Sequence, residues 1–403
     1  MIKAVLLDLD DTLITTNSEQ FFPLYLHELD RHAAGLTAPE PFLPSLMAAF
    51  EATLSAYEPT RSLYDRLQAR LATAVGVDRG ELEGVFDAFY EEKYPALGGH
   101  VAARNDAVTL LNWLFSAGCR VVVATNPGLP AIAIRRRMQW GGIDPDAYPF
   151  DLITSLEEMH FGKPHADYYA EIVTRLEIEP GEAIMVGDDW EADLVGAGQA
   201  GLHTFWIAPD GSSLPDDRVA PAGVGSLSSF VERVCTGWLE TLECEDADRT
   251  ALQARLCVFP GAVDAVSGVY GSAILECRPG EEEWSVRDIV CHLREHELSE
   301  RERLERILNE DNPFLSAEAG RRDANREYRT GPFVKAFDAF TTQRARTVAW
   351  LEGLPAGAWE RPARDAIFGP TYFEEMVGFI VEHDRTHLRQ MRTTIDEALR
   401  ICE

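Results

Sequence analysis

The hydrophobic pattern divides the chain into two halves. In the first, short unbroken apolar runs alternate with stripes of helical spacing. The runs Val5-Leu6-Leu7, Val121-Val122-Val123-Ala124, Ala183-Ile184-Met185-Val186 and His203 to Ile207 read as strands of a parallel sheet buried on both faces. Between the first run and Ala107 the apolar positions are helical: Phe22, Leu26 and Leu29, then Leu63, Leu67 and Leu71, then Leu82, Val85, Phe86 and Phe89. No strand-like alternation intervenes, so residues from about 15 to 100 form an all-helical insertion, placed to act as a lid over the carboxyl edge of the sheet. After about residue 248 every stripe is helical. Leu252, Leu256, Phe259, Val263 and Val266 mark one helix, and Ser285 with Asp288 opens a second that runs to about Glu310. Phe333, Phe337, Phe340, Val348 and Leu351 line a third, and Thr371 with Glu374 reads as a capping box for a fourth, ending near Leu399. Four such stripes close one bundle. The acid-rich stretch from Thr241 to Asp248 has little to bury, which places the domains at 1–243 and 248–403.

Length and charge narrow the function. At 403 residues the chain exceeds a single core, given roughly 150 residues per domain. A formal net charge of −30 excludes a nucleic-acid surface, which needs cationic contacts to phosphates. The seven cysteines are scattered, with no C-x-x-C, which suits reduced thiols in the cytoplasm. No apolar run approaches the roughly 18 residues of a membrane span. The sequence therefore predicts a cytoplasmic, soluble protein with no membrane partner; homodimerisation is left open.

The chemistry of the first half lies where its strands end. The run Val5–Leu7 stops in Asp8-Leu9-Asp10-Asp11-Thr12, delivering acids to the sheet edge where open α/β folds bind ligands. Period-two alternation puts Asp8 and Asp10 on one side with Leu9 turned to the core. Thr125 ends a second strand ahead of Asn126-Pro127, Lys163 lies in Gly162-Lys163-Pro164, and a further strand ends in Gly187-Asp188-Asp189 with Asp193 following. Carboxylates from two strand ends supply the hard oxygen ligands Mg²⁺ prefers, and a Lys offsets their charge.

These four motifs, in this order, resemble those of the haloacid dehalogenase superfamily over about the first 240 residues. The resemblance implies a Rossmann-like α/β parallel sheet with a helical C1-type cap, and a phosphatase acting on a small-molecule phosphate ester. It implies Asp8 as nucleophile, Asp10 as general acid and base, and Thr125 and Lys163 as holders of phosphoryl oxygens. Mg²⁺ would sit on Asp8, the backbone carbonyl of Asp10, and Asp188, with Asp193 a ligand or a water-bridged support. Asp189 is either a further acid of this site or the cap of the next helix. Because Asp10 is present, phosphoryl transfer is favoured over carbon–halogen cleavage.

In the second half, His383 and His387 are four residues apart and share a helical face that Phe373, Met376 and Ile380 turn inward. With His292 on a facing helix they form a three-imidazole set with an open fourth position, suited to Zn²⁺ or Ni²⁺. His296, one turn from His292, is a competing ligand or a supporting residue. The stretches Trp284 to Leu293 and His383 to Gln390 resemble the DinB-like four-helix metalloproteins, over roughly residues 248 to 399. That family implies a metal triad at the three histidines, and several members use a low-molecular-weight thiol. The bundle is thus read as a metal-binding domain, alternatively as a thiol-dependent transferase or hydrolase, or as a noncatalytic sensing or dimerising module.

Overall fold

The computed structural model describes residues 1–36, 41–209, 211–244, 247–316 and 331–402. Part of the expected boundary, residues 245–246, lies outside them. Two compact units emerge, Met1–Asp246 and Ala247–Glu403.

The first unit begins with β1 (Ala4–Leu7), all four residues fully buried, and β2 (Ile14–Thr16). The lid follows as α1 (Ser18–Ala33), α2 (Phe42–Ser55), α3 (Leu63–Val75) and α4 (Arg79–Glu92). β3 (Val101–Ala103) then returns antiparallel to β2, Ile14 opposite Ala103. This two-stranded neck was not expected, because three-residue strands are too short to show a period. The rest alternates: α5 (Asn105–Ser116), β4 (Arg120–Val123), α6 (Ala131–Trp140), β5 (Leu152–Ile153), α7 (Ala166–Arg175), β6 (Ala183–Gly187), α8 (Gly196–Gln199), β7 (His203–Ile207), β8 (Gly223–Gly225) and α9 (Leu227–Cys235). Six strands form one parallel sheet in the order β5-β4-β1-β6-β7-β8. β1 lies between β4 and β6, which brings the strand ends carrying Asp8, Thr125 and Asp188 to one edge.

The lid is docked by backbone hydrogen bonds, since the N–H groups of Leu63 and Tyr64 at the start of α3 donate to the carbonyls of Met159 and Leu156, at 2.8 Å each. Ser62 caps the same helix, accepting from Asp65 N at 3.2 Å. The guanidinium of Arg66, itself buried, donates to the carbonyls of Ala56 and His160. Two helices of the lid, α2 and α3, and the segment beneath them thus share their polar satisfaction. Tyr25 and Tyr90 meet at 2.7 Å between hydroxyls, joining α1 to α4.

The second unit packs α10 (Arg249–Ser267), the short α11 (Ser272–Leu275), α12 (Val286–Asn309), α13 (Phe333–Glu352), the short α14 (Ala356–Trp359) and α15 (Phe373–Cys402). Ser285 and Asp288 form the expected capping box of α12. At α15 the expectation needs correcting by one residue: Glu375, not Glu374, takes the Thr371 hydroxyl (2.8 Å) and the Tyr372 N–H (3.1 Å). Thr371 lies in a strand, because β9 (Phe314–Leu315), β10 (Pro362–Asp365) and β11 (Gly369–Tyr372) form a small sheet that an all-helical reading omits.

Arg344 is the centre of this bundle's polar interior. Its guanidinium, about 1% exposed, donates to Glu297 Oε2 at 2.9 Å and to both oxygens of Asp384 at 2.6 and 3.0 Å. Burying these charges is costly, yet breaking the set costs more, because two carboxylates would be left in apolar surroundings. Arg344→Met is therefore expected to destabilise the bundle by about 3–5 kcal/mol, read as a shift of its denaturation midpoint. An unchanged midpoint would show that Glu297 and Asp384 find other partners.

Candidate functional site

The acids of the first unit converge because their strands are neighbours. β1 ends at Leu7, so Asp8 is the first residue past the sheet, and its N–H donates to Val186 O on β6 at 2.9 Å. β6 ends at Gly187, putting Asp188 beside it. Asp8, Asp188 and Asp193 each offer a carboxylate oxygen within 4.8 Å of the others. Lys163 Nζ bridges Asp8 Oδ1 at 2.7 Å and Asp193 Oδ1 at 2.5 Å. Asp193 Oδ2 accepts from the Asp189 N–H at 3.0 Å, so both its oxygens are engaged. Gly187 is required here, since a Cβ would lie 2.1 Å from Asp193 Oδ2.

Three buried or half-buried carboxylates face one ammonium, so the cluster carries surplus negative charge. Burial, reinforced by Asp193 and Asp10 and opposed by Lys163, holds the Asp8 carboxyl well above the usual range. Burial, with Asp193 and Asp11, pushes Asp188 up to about 6. Burial opposes the charge on Lys163, but the two flanking carboxylates outweigh it and keep the ammonium protonated. Surplus charge and hard oxygen donors are what a divalent cation neutralises. The donor set fits Mg²⁺.

Asp189 instead caps the following helical turn, Trp190–Val195, accepting from Ala192 N at 2.8 Å. The capping alternative is the one observed. Asp10 lies outside the three-acid cluster, and its Oδ1 accepts from Thr16 Oγ1 at 2.5 Å and from the Arg137 guanidinium. The strand stops at Leu7 and the chain turns, with Asp11 at φ 54°, so both acids lie past the end of the strand. Arg137 was not singled out in the sequence. It is buried on α6, donates also to Thr16 Oγ1 at 3.2 Å, and lies 4.8 Å from the Phe21 ring centroid. Its only local signal is its place with Ala133, Ile134 and Met138 on the inward face of a helix.

Thr125 is buried two residues past β4, with its carbonyl accepting from Tyr168 OH at 2.8 Å and Thr154 Oγ1 at 2.7 Å. These bonds fix the backbone that presents its hydroxyl. Thr125 and Asp10 also line a cavity of about 320 Å³ that continues under the lid helices.

In the second unit, His292 on α12 meets His383 and His387 on α15. His383 Nε2 lies 3.1 Å from Nε2 of His292 and 3.1 Å from Nε2 of His387. Each of the three offers a nitrogen within 4.8 Å of the others, and all are half-buried. Burial lowers His387 and, helped by the neighbouring histidines, takes His383 to about 2, so these rings are neutral, the form in which imidazole binds a metal. His387 Nδ1 pairs with Gln390 Oε1 at 2.8 Å, which leaves Nε2 as the lone-pair nitrogen. Trp284 covers one side, its ring centroid 5.0 Å from that of His292. His296 stacks on His383 at 3.6 Å between centroids, with Nε2 3.7 Å from Glu300 Oε1. Convergent neutral nitrogens fit a divalent transition metal. Gln390 and Trp284 were within the motif stretches, but their contacts depend on rotamers a sequence does not reveal.

Haloacid dehalogenase-like hydrolases match residues 2–201, and the DinB superfamily matches residues 270–391. The pyrophosphatase PpaX of Bacillus velezensis is 27% identical over 207 residues, covering 51% of this chain and 83% of that protein. Among solved structures, a 2-haloacid dehalogenase from Pseudomonas syringae is 25% identical with a TM-score of 0.42, covering 59% of this chain and 100% of that one. YfiT from Bacillus subtilis, a four-helix bundle of unusual topology, is 17% identical with a TM-score of 0.33, covering 40% of this chain and 90% of that one. By the order of its motifs and by the family and sequence matches, the N-terminal region, residues 2–201, matches the haloacid dehalogenase-like hydrolases, with a pyrophosphatase among its relatives, and the C-terminal region, residues 270–391, matches the DinB superfamily.

Proposed function

We propose that the first unit is a Mg²⁺-dependent phosphatase that hydrolyses a small-molecule phosphate monoester through an aspartyl phosphate, and that the second holds Zn²⁺ or Ni²⁺ on His292, His383 and His387. The observation that carries the first part is the ammonium of Lys163 held between Asp8 and Asp193. Two of its three donors are spent on carboxylates, and the third is left for a phosphoryl oxygen. Thr125 offers a second donor.

In this reading the Asp8 carboxylate attacks phosphorus in line while the bond to the leaving oxygen breaks. Asp10 gives that oxygen its proton, then takes one from the water that attacks phosphorus and releases Asp8 and phosphate. Arg137 and Thr16 aim the Asp10 carboxylate for both transfers. Asp8, Asp188 and the backbone carbonyl of Asp10 would hold Mg²⁺. Asp193, with both oxygens engaged, supports them. The bound ion supplies positive charge between two anions.

The test is phosphate release from a panel of monoesters before and after chelation. Turnover is expected to fall by about a hundredfold or more without Mg²⁺, and to return on its addition, because the ion supplies several kcal/mol of charge stabilisation. Turnover indifferent to chelator would remove the metal from the reading.

A further inference from the structure

The cavity under the lid says which esters this site takes, an inference that rests on the phosphatase reading above. It runs from Asp10 and Thr125 to the lid helices, so whatever is attached to a phosphoryl group held there must enter it. Its walls are apolar, with Phe22, Leu46, Met47, Phe50 and Phe86 among them. Phe22 and Met47 are exposed large hydrophobic side chains, as is Ile132 on the facing α6. Isolated exposed apolar residues are ordinary; three that line one cavity are a lipophilic wall left for a ligand.

Charge points the same way. Of the described residues lining the cavity only Arg137 is cationic, and its guanidinium is committed to Asp10 and Thr16. Asp87 and Glu157 add negative charge to the lining. A leaving group with a second phosphate or a carboxylate would meet carboxylates and aromatic faces with no free cation to receive it.

We propose that the lid cavity selects phosphate monoesters of a bulky, uncharged, largely apolar alcohol or phenol. Polyanions such as inorganic pyrophosphate are excluded.

The experiment compares 1-naphthyl phosphate with inorganic pyrophosphate and phosphoglycolate on the full chain with Mg²⁺. The expected kcat/KM for the naphthyl ester exceeds the other two by at least about tenfold, the scale on which apolar pockets discriminate. Met47→Lys adds a cation at an exposed position on the cavity wall and is expected to narrow that ratio at least about tenfold; Phe50→Ala should raise KM for the naphthyl ester more than it lowers kcat. Equal or better turnover of pyrophosphate or phosphoglycolate, abolished by Asp8→Asn, overturns the selectivity while leaving the phosphatase. Binding to Asp8→Asn by calorimetry separates the two readings if no ester turns over. Naphthyl phosphate bound in preference to pyrophosphate, and weakened by Phe50→Ala, upholds the cavity's role without the reaction. Equal binding of both overturns it.

Discussion

Asp8→Asn should abolish phosphate release, by on the order of 10⁴-fold or more, the scale of removing a covalent nucleophile. The amide is nearly isosteric and still offers an oxygen to Lys163, so geometry is preserved while the attacking carboxylate is gone. Stability gives a control whose sign can be worked out. A carboxyl whose folded-state pKa is raised, as for Asp8, costs stability at pH values above its unfolded pKa, and that cost is fully present above the folded one. The neutral amide relieves it. The amide also removes one of the two carboxylates that face Lys163, an opposing effect, so a melt near pH 7 close to the parent's is the expected control. Phosphate release and a thermal melt on the same preparation decide the matter: a variant that keeps near-normal turnover removes Asp8 as nucleophile, and one that is inactive but unfolded is uninformative about it. Asp10→Asn should damage both chemical steps, since one carboxyl handles both protons.

Replacing both His383 and His387 by Ala should strip the transition metal from the purified full chain, from about one ion per chain to below about a tenth, because a single imidazole cannot retain it. Metal analysis by mass spectrometry reads this directly. His296→Ala should leave occupancy unchanged, since its ring stacks on His383 rather than joining the three convergent nitrogens. Loss of metal with His296→Ala but not with His292→Ala would shift the triad by one helical turn. Absence of metal in every preparation would leave the bundle as a packing domain. Phosphatase turnover should change by no more than a few fold in the double variant, because Mg²⁺ on carboxylates and a transition metal on imidazoles are separate chemistries.

What the sequence determined by itself is whatever repeats locally. The unbroken run at Val5–Leu7 declares a strand buried on both faces, and the acids after it mark the edge of the sheet. His383 and His387 are brought together by the helical repeat alone, four residues apart. The Ser285 and Asp288 cap spans only three residues. Each can be read because its period or spacing survives without the rest of the fold.

Tertiary structure decided the contacts between distant residues. Arg137 reaches Asp10 across 127 positions, and Arg344 reaches Glu297 across 47; no local pattern encodes either. Strands of two to four residues at β2, β3 and β9 to β11 are shorter than any period, and pairing rather than propensity makes them strands. Asp10 takes its partners, Arg137 and Thr16, past the end of its strand, where alternation no longer governs. The lid cavity exists only because α1, α2, α3 and α4 close over the sheet edge, so the apolar wall is a property of packing. Local physics names the elements and the acids they carry; the energy that aims Asp10 and shapes the cavity comes from burial and long-range hydrogen bonds, which exist only once the chain has folded.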